Sequence, residues 1–425
     1  MKSKTQTLNI VTKTLDAFRP CRGSPARVGI GHRYVGQLLN IGIVHKGDTV
    51  IAAAGEDYIF NHKTSLSKAI LALVGVGVKR IGMKGFFWAA QRAGHLQEAC
   101  DAILQIEAKI GSSASAAAQK RLAQLRKQPA YQLSLLTQIP AKAERQLEPV
   151  KGRVCYILHN AFPYSSGGYA TRSHGVASGL QSNGMEVIAI TRPGFPLDVV
   201  EGLDPDMVTD EDVVDGIRYT RILKPTVKGM ALVDYLLKAA DALEERFREC
   251  RPEYVIAASN YRVGIAALIA ARRLGIPFAY EVRGWWEVTR MSRDSDFEKS
   301  TSYLIQKTME SEVAQRADHV FTLTQPMCEE LVERGIVSEK ITLLPNSCDS
   351  TRFLPRPRDT ALAAQLGIPA DVSVIGYIGT FVDYEGLEDL TLACGVLKSK
   401  GITFRLMLVG NENTSGAGRG PLQQR

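Results

Sequence analysis

The segment NAFPYSSGGYATRSHG sets Ser165, Ser166, Gly167 and Gly168 between an apolar run and a stretch with helical character. Glycine allows close approach of backbone to a ligand, and a helix start presents unpaired N–H groups of partial positive charge. The chemistry that suits is binding of an anionic diphosphate. The pattern is not GxGxxG and no convincing acidic ribose partner follows, so a plain strand-to-helix turn fits the same residues. His174, one turn further on, either points back at this loop or caps the surface. Arg283 and Gly284 close the run PFAYEVRG, at the edge where open α/β sheets place ligands, and a guanidinium there suits a phosphate or an acceptor. An ion pair with Glu281 or Glu287 is its other use. Trp285 and Trp286 offer rings for stacking on a sugar or for packing. Asp204 with Asp206, and Asp294 with Asp296, have DxD spacing but follow no apolar strand, so no metal site is expected. The absence of a GxSxG elbow after a strand argues against a serine hydrolase.

Such residues need a scaffold whose strand ends converge. From Arg153 onward short apolar runs (RVCYIL, EVIAIT, GIRYTRI, YVIAAS, PFAYEV, HVFTLT, ITLLPN) alternate with helical stretches (GGYATRSHGVASGLQSNG, ALVDYLLKAADALEERF, VGIAALIAARRLG, PMCEELVERG). That alternation predicts parallel βαβ units in a doubly wound, Rossmann-like sheet over residues 151–365. A fresh start at VSVIGYIGTF, followed by GLEDLTLACGVLKSKG and TFRLMLVG, predicts the opening of a second such domain over 366–425. A domain of this type needs about 100 to 150 residues, so an incomplete, truncated C-terminal domain is expected, with NENTSGAGRGPLQQR as polar coil. Upstream, 86–150 read as a helical hairpin and a linker, a spacer or docking element, and the glycine-broken runs of 1–85 carry no assignable chemistry.

The segments SSGGYATRSHGVASGLQSNGMEVIAITRPG, YEVRGWWE, ADHVFTLTQPMCEELVERGIVSEKITLLPNSCDSTRF and VIGYIGTFVDYEGLEDL, in that order, resemble glycosyltransferase family 4, the retaining GT-B enzymes. The resemblance implies a GT-B-like α/β fold, a nucleotide-sugar donor bound mainly by the second domain, and an acceptor on the first. It matches Gly167 and Gly168 to the glycine-rich loop facing the donor phosphates, and Pro345 with Asn346 to the PN turn leading to the interdomain crossover. At the second domain's first strand, Gly379 is followed by Thr380 and Glu385 where the broad family often carries Arg and Lys, and one branch usually carries this Glu. The family's paired-glutamate motif has no counterpart here. The site residues implied are Gly167, Gly168, His174, Arg283, Asn346, Gly379 and Glu385, with no metal or other cofactor.

The expected activity is transfer of a sugar, with retention, to a saccharide or lipid-linked acceptor, as in polysaccharide biosynthesis; turnover by the truncated chain is doubtful. Two alternatives stay open: a non-catalytic binding or docking protein, and a sugar-nucleotide epimerase of the same fold. The chain has 425 residues and seven scattered cysteines with no CxxC pair, which argues against a disulfide framework or a zinc site. No signal-like apolar region opens it, so a cytoplasmic location is expected. Up to Arg153 there are 23 Lys and Arg against 9 Asp and Glu, which suits peripheral contact with an anionic membrane; the charges are spread rather than massed, and no nucleic-acid partner is expected.

Overall fold

The computed structural model describes residues 87, 90–91, 94–110, 115–200, 202–348, 350, 353–379, 381 and 385–410. The readings made for 1–85 and for the polar coil after Gly410 lie outside them. Two helices open the described chain, α1 (Leu96–Ile110) and α2 (Ala116–Arg126), followed by a 3-10 turn (Pro129–Leu133) and the short α3 (Ser134–Gln138). Then come β1 (Arg153–Leu158), α4 (Gly168–Ser182), β2 (Glu186–Thr191), β3 (Glu211–Val214), β4 (Ile217–Thr220), α5 (Leu232–Cys250), β5 (Tyr254–Ala258) and α6 (Tyr261–Leu274). After these follow β6 (Phe278–Val282), α7 (Trp286–Met291), α8 (Thr301–Arg316), β7 (His319–Thr322), α9 (Gln325–Glu333) and β8 (Ile341–Leu343).

These strands form one eight-stranded sheet in the order β3-β4-β2-β1-β5-β6-β7-β8. Every pairing is parallel except the β3–β4 hairpin. Strands buried on both faces need no polar alternation, which is why β1 and β2 read as near-continuous apolar runs. The sequence reading gave no strand for β3. Its signal is the Asp215-Gly216 pair, both at positive φ (48° and 79°), as a tight two-residue hairpin demands.

The core lies where α6 crosses the sheet beneath α5 and α8. A helix apolar all round belongs inside, and α6 buries Ile265, Ala267, Leu268, Ile269 and Leu274 completely. Gly264 lets it sit close: a Cβ there would come 2.6 Å from the Tyr280 ring and 2.8 Å from Val313. The N-terminal helices share this core. Ile103, Tyr131 and Leu135 join one apolar cluster with Leu243 and Phe247 of α5, so they form an outer layer on the sheet's helices rather than a detached spacer. The segment between α3 and β1 is held down as well: Ala143 N–H donates to Arg272 O at 2.9 Å and Gln146 N–H to Leu274 O at 3.2 Å.

Past β8, α10 (Thr360–Gln365) leads to a second, two-stranded parallel unit: β9 (Ser373–Ile378), α11 (Leu387–Ser399) and β10 (Phe404–Val409). The α/β class and the start of a second parallel unit agree with the sequence reading. Among the described residues no helix is long and apolar enough to cross a membrane.

Candidate functional site at the carboxyl edge of the sheet

From β1 the chain winds to β2 and β4 on one side and returns to β5 on the other, so its direction reverses between β1 and β5. Doubly wound sheets bind ligands at such a reversal, outside the carboxyl ends of the strands. Here those ends carry His159 and Asn160 after β1, Arg192 after β2, Asn260 after β5 and Arg283 after β6. Tyr169, in the first turn of α4, ties the two halves together: its hydroxyl accepts from His159 N–H at 2.9 Å and donates to Ala258 O at 3.2 Å.

Gly167 caps α4 and Gly168 is its first residue; both are exposed, and a Cβ built on either meets nothing within 4 Å. No side chain caps the helix start. The helix start is therefore exposed and uncapped, and unpaired first amides at such a start are what an anion needs. His174 turns the other way: Nδ1 lies 2.8 Å from the Tyr219 hydroxyl, Nε2 lies 3.4 Å from Asp215, and the ring packs edge-on against Phe162. Its nitrogens thus serve the β4 edge, while the ring supports the loop.

Arg283 is spent within the protein. Its guanidinium donates to Glu281 at 2.9 Å, to Tyr169 O at 3.1 Å, to Ser173 Oγ at 2.8 Å and to the Tyr156 hydroxyl, and it lies over the Tyr169 ring at 4.4 Å. Of the two uses open to it in sequence, the ion pair with Glu281 is the one built; Glu287 pairs instead with Arg334 at 2.8 Å. Glu281 is 1% exposed, and burial alone would raise its carboxyl; Arg283, Tyr156 and Arg172 outweigh that and hold it below its ordinary value. Arg172 completes the network. From α4 it reaches Glu281 at 2.8 Å, Leu344 O at 2.7 Å, Pro345 O at 3.1 Å and Asn346 Oδ1 at 2.9 Å.

One buried carboxylate and two arginines therefore fix the glycine-turn helix relative to β6 and to the PN turn. Gly167, Gly168, Arg283 and Asn346 belong to this one assembly, whereas Gly379 and the exposed Glu385 lie on the second parallel unit. Gly379 N–H donates to Val409 O at 2.9 Å. The two tryptophans part company: Trp285 lies under Arg334 at 3.7 Å, while Trp286 is 43% exposed with its edge on His159, ring centroids 5.3 Å apart.

Sequence reasoning missed Arg172, His159 and Asn260. Arg172 stands one helical turn after Gly168, a position that faces the sheet edge, and His159-Asn160 follow β1 directly; both were findable from the strand end and the helix period. Burial, and then Arg192 and Arg262, push the His159 imidazole down to about 3, so it is neutral.

Together the sheet and its reversal point define a doubly wound α/β domain, with an uncapped glycine turn at its carboxyl edge. Residues 167–347 match the model of the glycosyl transferase 4-like domain. Over those residues the chain is similar to the glycosyl transferase 4-like family. It is 24% identical over 211 residues to D-inositol 3-phosphate glycosyltransferase of Kineococcus radiotolerans, covering 48% of this chain and 46% of that relative. It thus spans about half that relative's length. Among solved structures, it is similar to the catalytic domain of starch synthase IV from Arabidopsis thaliana bound to ADP and acarbose (TM-score 0.43, 12% identity, 61% of this chain and 69% of that one). It is similar also to a glycosyltransferase from Rickettsia africae (TM-score 0.40, 16% identity, 61% and 60%).

Proposed function

We propose that this protein transfers a sugar, with retention at the anomeric carbon, from a nucleoside diphosphate sugar to a saccharide or lipid-linked acceptor. The observation that carries the reading is that the glycosyl transferase 4-like match opens at Gly167, on an exposed turn that no side chain caps. Backbone amides at the start of α4 would hold the departing diphosphate, stabilising charge that grows as the glycosidic bond breaks. Glu281 and its two arginines would keep that helix start in place and leave the acceptor hydroxyl to approach across the β1–β5 reversal. Gly379 and Glu385 would lie on the donor's side, and the scheme calls on no metal ion.

The test replaces Gly168 by Asp. An acidic side chain at a helix start favours the helix by a few tenths of a kcal/mol, so the variant folds, yet it repels a diphosphate. With labelled UDP-, GDP- and ADP-sugars and a saccharide acceptor pool, the unaltered chain is expected to transfer label and Gly168→Asp to lose at least tenfold. Equal rates in the two, or no turnover of any nucleotide sugar, would overturn the proposal; conversion of the donor without an acceptor would point to an epimerase.

A further inference from the structure

The crevice at the β1–β5 reversal carries more unpaired polar chemistry than a strand-to-helix turn needs. Among the described residues, His159 Nδ1, Asn160 Oδ1, Asn260 Nδ2, Arg192 Nε and Arg262 Nε are buried atoms without a hydrogen-bond partner. They come from three adjacent strand ends: Arg192 N–H donates to Leu158 O at 2.7 Å, next to His159, and Asn260 caps the helix after β5. Asn260 is 1% exposed and uses only its Oδ1, which accepts from Arg262 N–H at 3.0 Å. Buried polar groups are ordinarily paired, and five in one crevice mark a place where a ligand supplies the partners.

The charge of this crevice selects the ligand. Both Arg192 and Arg262 lie close enough to His159 to oppose its protonation. Arg192 is balanced by Asp198, which it grips at 2.5 and 3.0 Å. Behind them, Glu310 spends its two oxygens on Tyr261 N–H at 2.7 Å and the Tyr280 hydroxyl at 2.5 Å. Arg262 forms no ion pair among the described residues and lies 5.9 Å from the Tyr261 ring centroid, which leaves it as surplus positive charge; Trp286, 43% exposed, rests its edge on His159. A carboxylate or phosphate accepts several N–H bonds at once, and an aromatic ring beside it suits the apolar face of a sugar.

We infer that this crevice seats the acceptor and that the acceptor is an acidic saccharide, its carboxylate or phosphate held by Arg262 and Asn260, with the sugar against Trp286. This names the acceptor class of the transferase reading and rests on it only for the word acceptor; the binding itself is read without any donor. Glucose 6-phosphate, glucuronate and glucose are titrated calorimetrically into the full chain, its Arg262→Gln variant and its Arg262→Lys variant, with circular dichroism to check folding. One or both acids are expected to bind at least tenfold more tightly than glucose, which separates phosphate from carboxylate as the favoured group. Arg262→Gln is expected to lose about tenfold or more, as loss of a charged hydrogen bond does, and Arg262→Lys to keep most of the affinity. Equal binding of glucose, no binding of either acid, or an unaffected Arg262→Gln would overturn the inference. So would displacement of the acid by UDP, GDP or ADP in competition, because the crevice would then serve the donor's phosphates. Failure of the transferase reading shows elsewhere, as absence of donor turnover with acid binding intact.

Discussion

Glu281→Gln probes the joint that fixes the glycine-turn helix. The carboxylate is 1% exposed and accepts from Arg172, Arg283 and Tyr156, so glutamine, which keeps the shape, leaves two largely buried guanidiniums facing a neutral group. Removing one partner of a buried charge pair costs about 3 to 5 kcal/mol. Glutamine retains one accepting oxygen, which places the expectation near the lower end, about 3 kcal/mol. At a urea slope of about 2 kcal/mol per molar, the unfolding midpoint should fall by about 1.5 M. The pH dependence carries a second signature. The folded carboxyl sits below its ordinary value of 4.5, so its stabilisation is present above that pH and is lost as the pH falls below it. Wild-type protein should therefore lose more stability on acidification from pH 5 than Glu281→Gln does. A midpoint shift of less than about 0.3 M at pH 7, or parallel acid profiles, would refute the view that this network holds the site.

Other expectations concern the frame. Burial pushes the Glu310 carboxyl up from 4.5 to about 7, so between those values the folded state binds the proton that the unfolded state releases. Stability should fall as the pH rises across that window by about 3 kcal/mol, and Glu310→Gln should flatten the fall in urea titrations at pH 4.5, 6 and 8. Gly275 ends α6 at φ 68°, where a Cβ would meet the Glu144 backbone at 2.5 Å, so Gly275→Ala should cost more than about 1 kcal/mol and expose the 139–150 segment to limited proteolysis. Leu135 is fully buried, and Leu135→Ala should cost about 2 to 5 kcal/mol by the same titration; a cost below 1 would mean that the N-terminal helices do not share the core.

The α/β frame was legible because parallel strands and their helices repeat a strong pattern: the runs read as β1, β2, β5, β6 and β7 all pair in the sheet. The glycine turn was legible as a helix start, since Gly167 and Gly168 sit between strand and helix in sequence as in space. What the sequence hid was direction and partnership. The motif left His174 between the loop and the surface, and Arg283 between a ligand and an ion pair; helix phase turns His174 to Tyr219, and burial commits Arg283 to Glu281. Arg172 and Asn346 meet across 174 positions, a contact no local pattern can announce. The tryptophan pair shows the same limit: neighbours in sequence, Trp285 is covered by Arg334 while Trp286 stays exposed beside His159.

The proposed binding of a diphosphate at the start of α4 is tested most directly by glycine-selective 15N labelling of the full chain and titration with UDP, GDP and ADP. The amides of Gly167 and Gly168, assigned by their loss in single alanine variants, should move on saturation with one of these nucleotides and stay fixed in Gly168→Asp. A nucleotide that binds while both amides remain unmoved, or that moves only glycines away from this turn, would contradict the account.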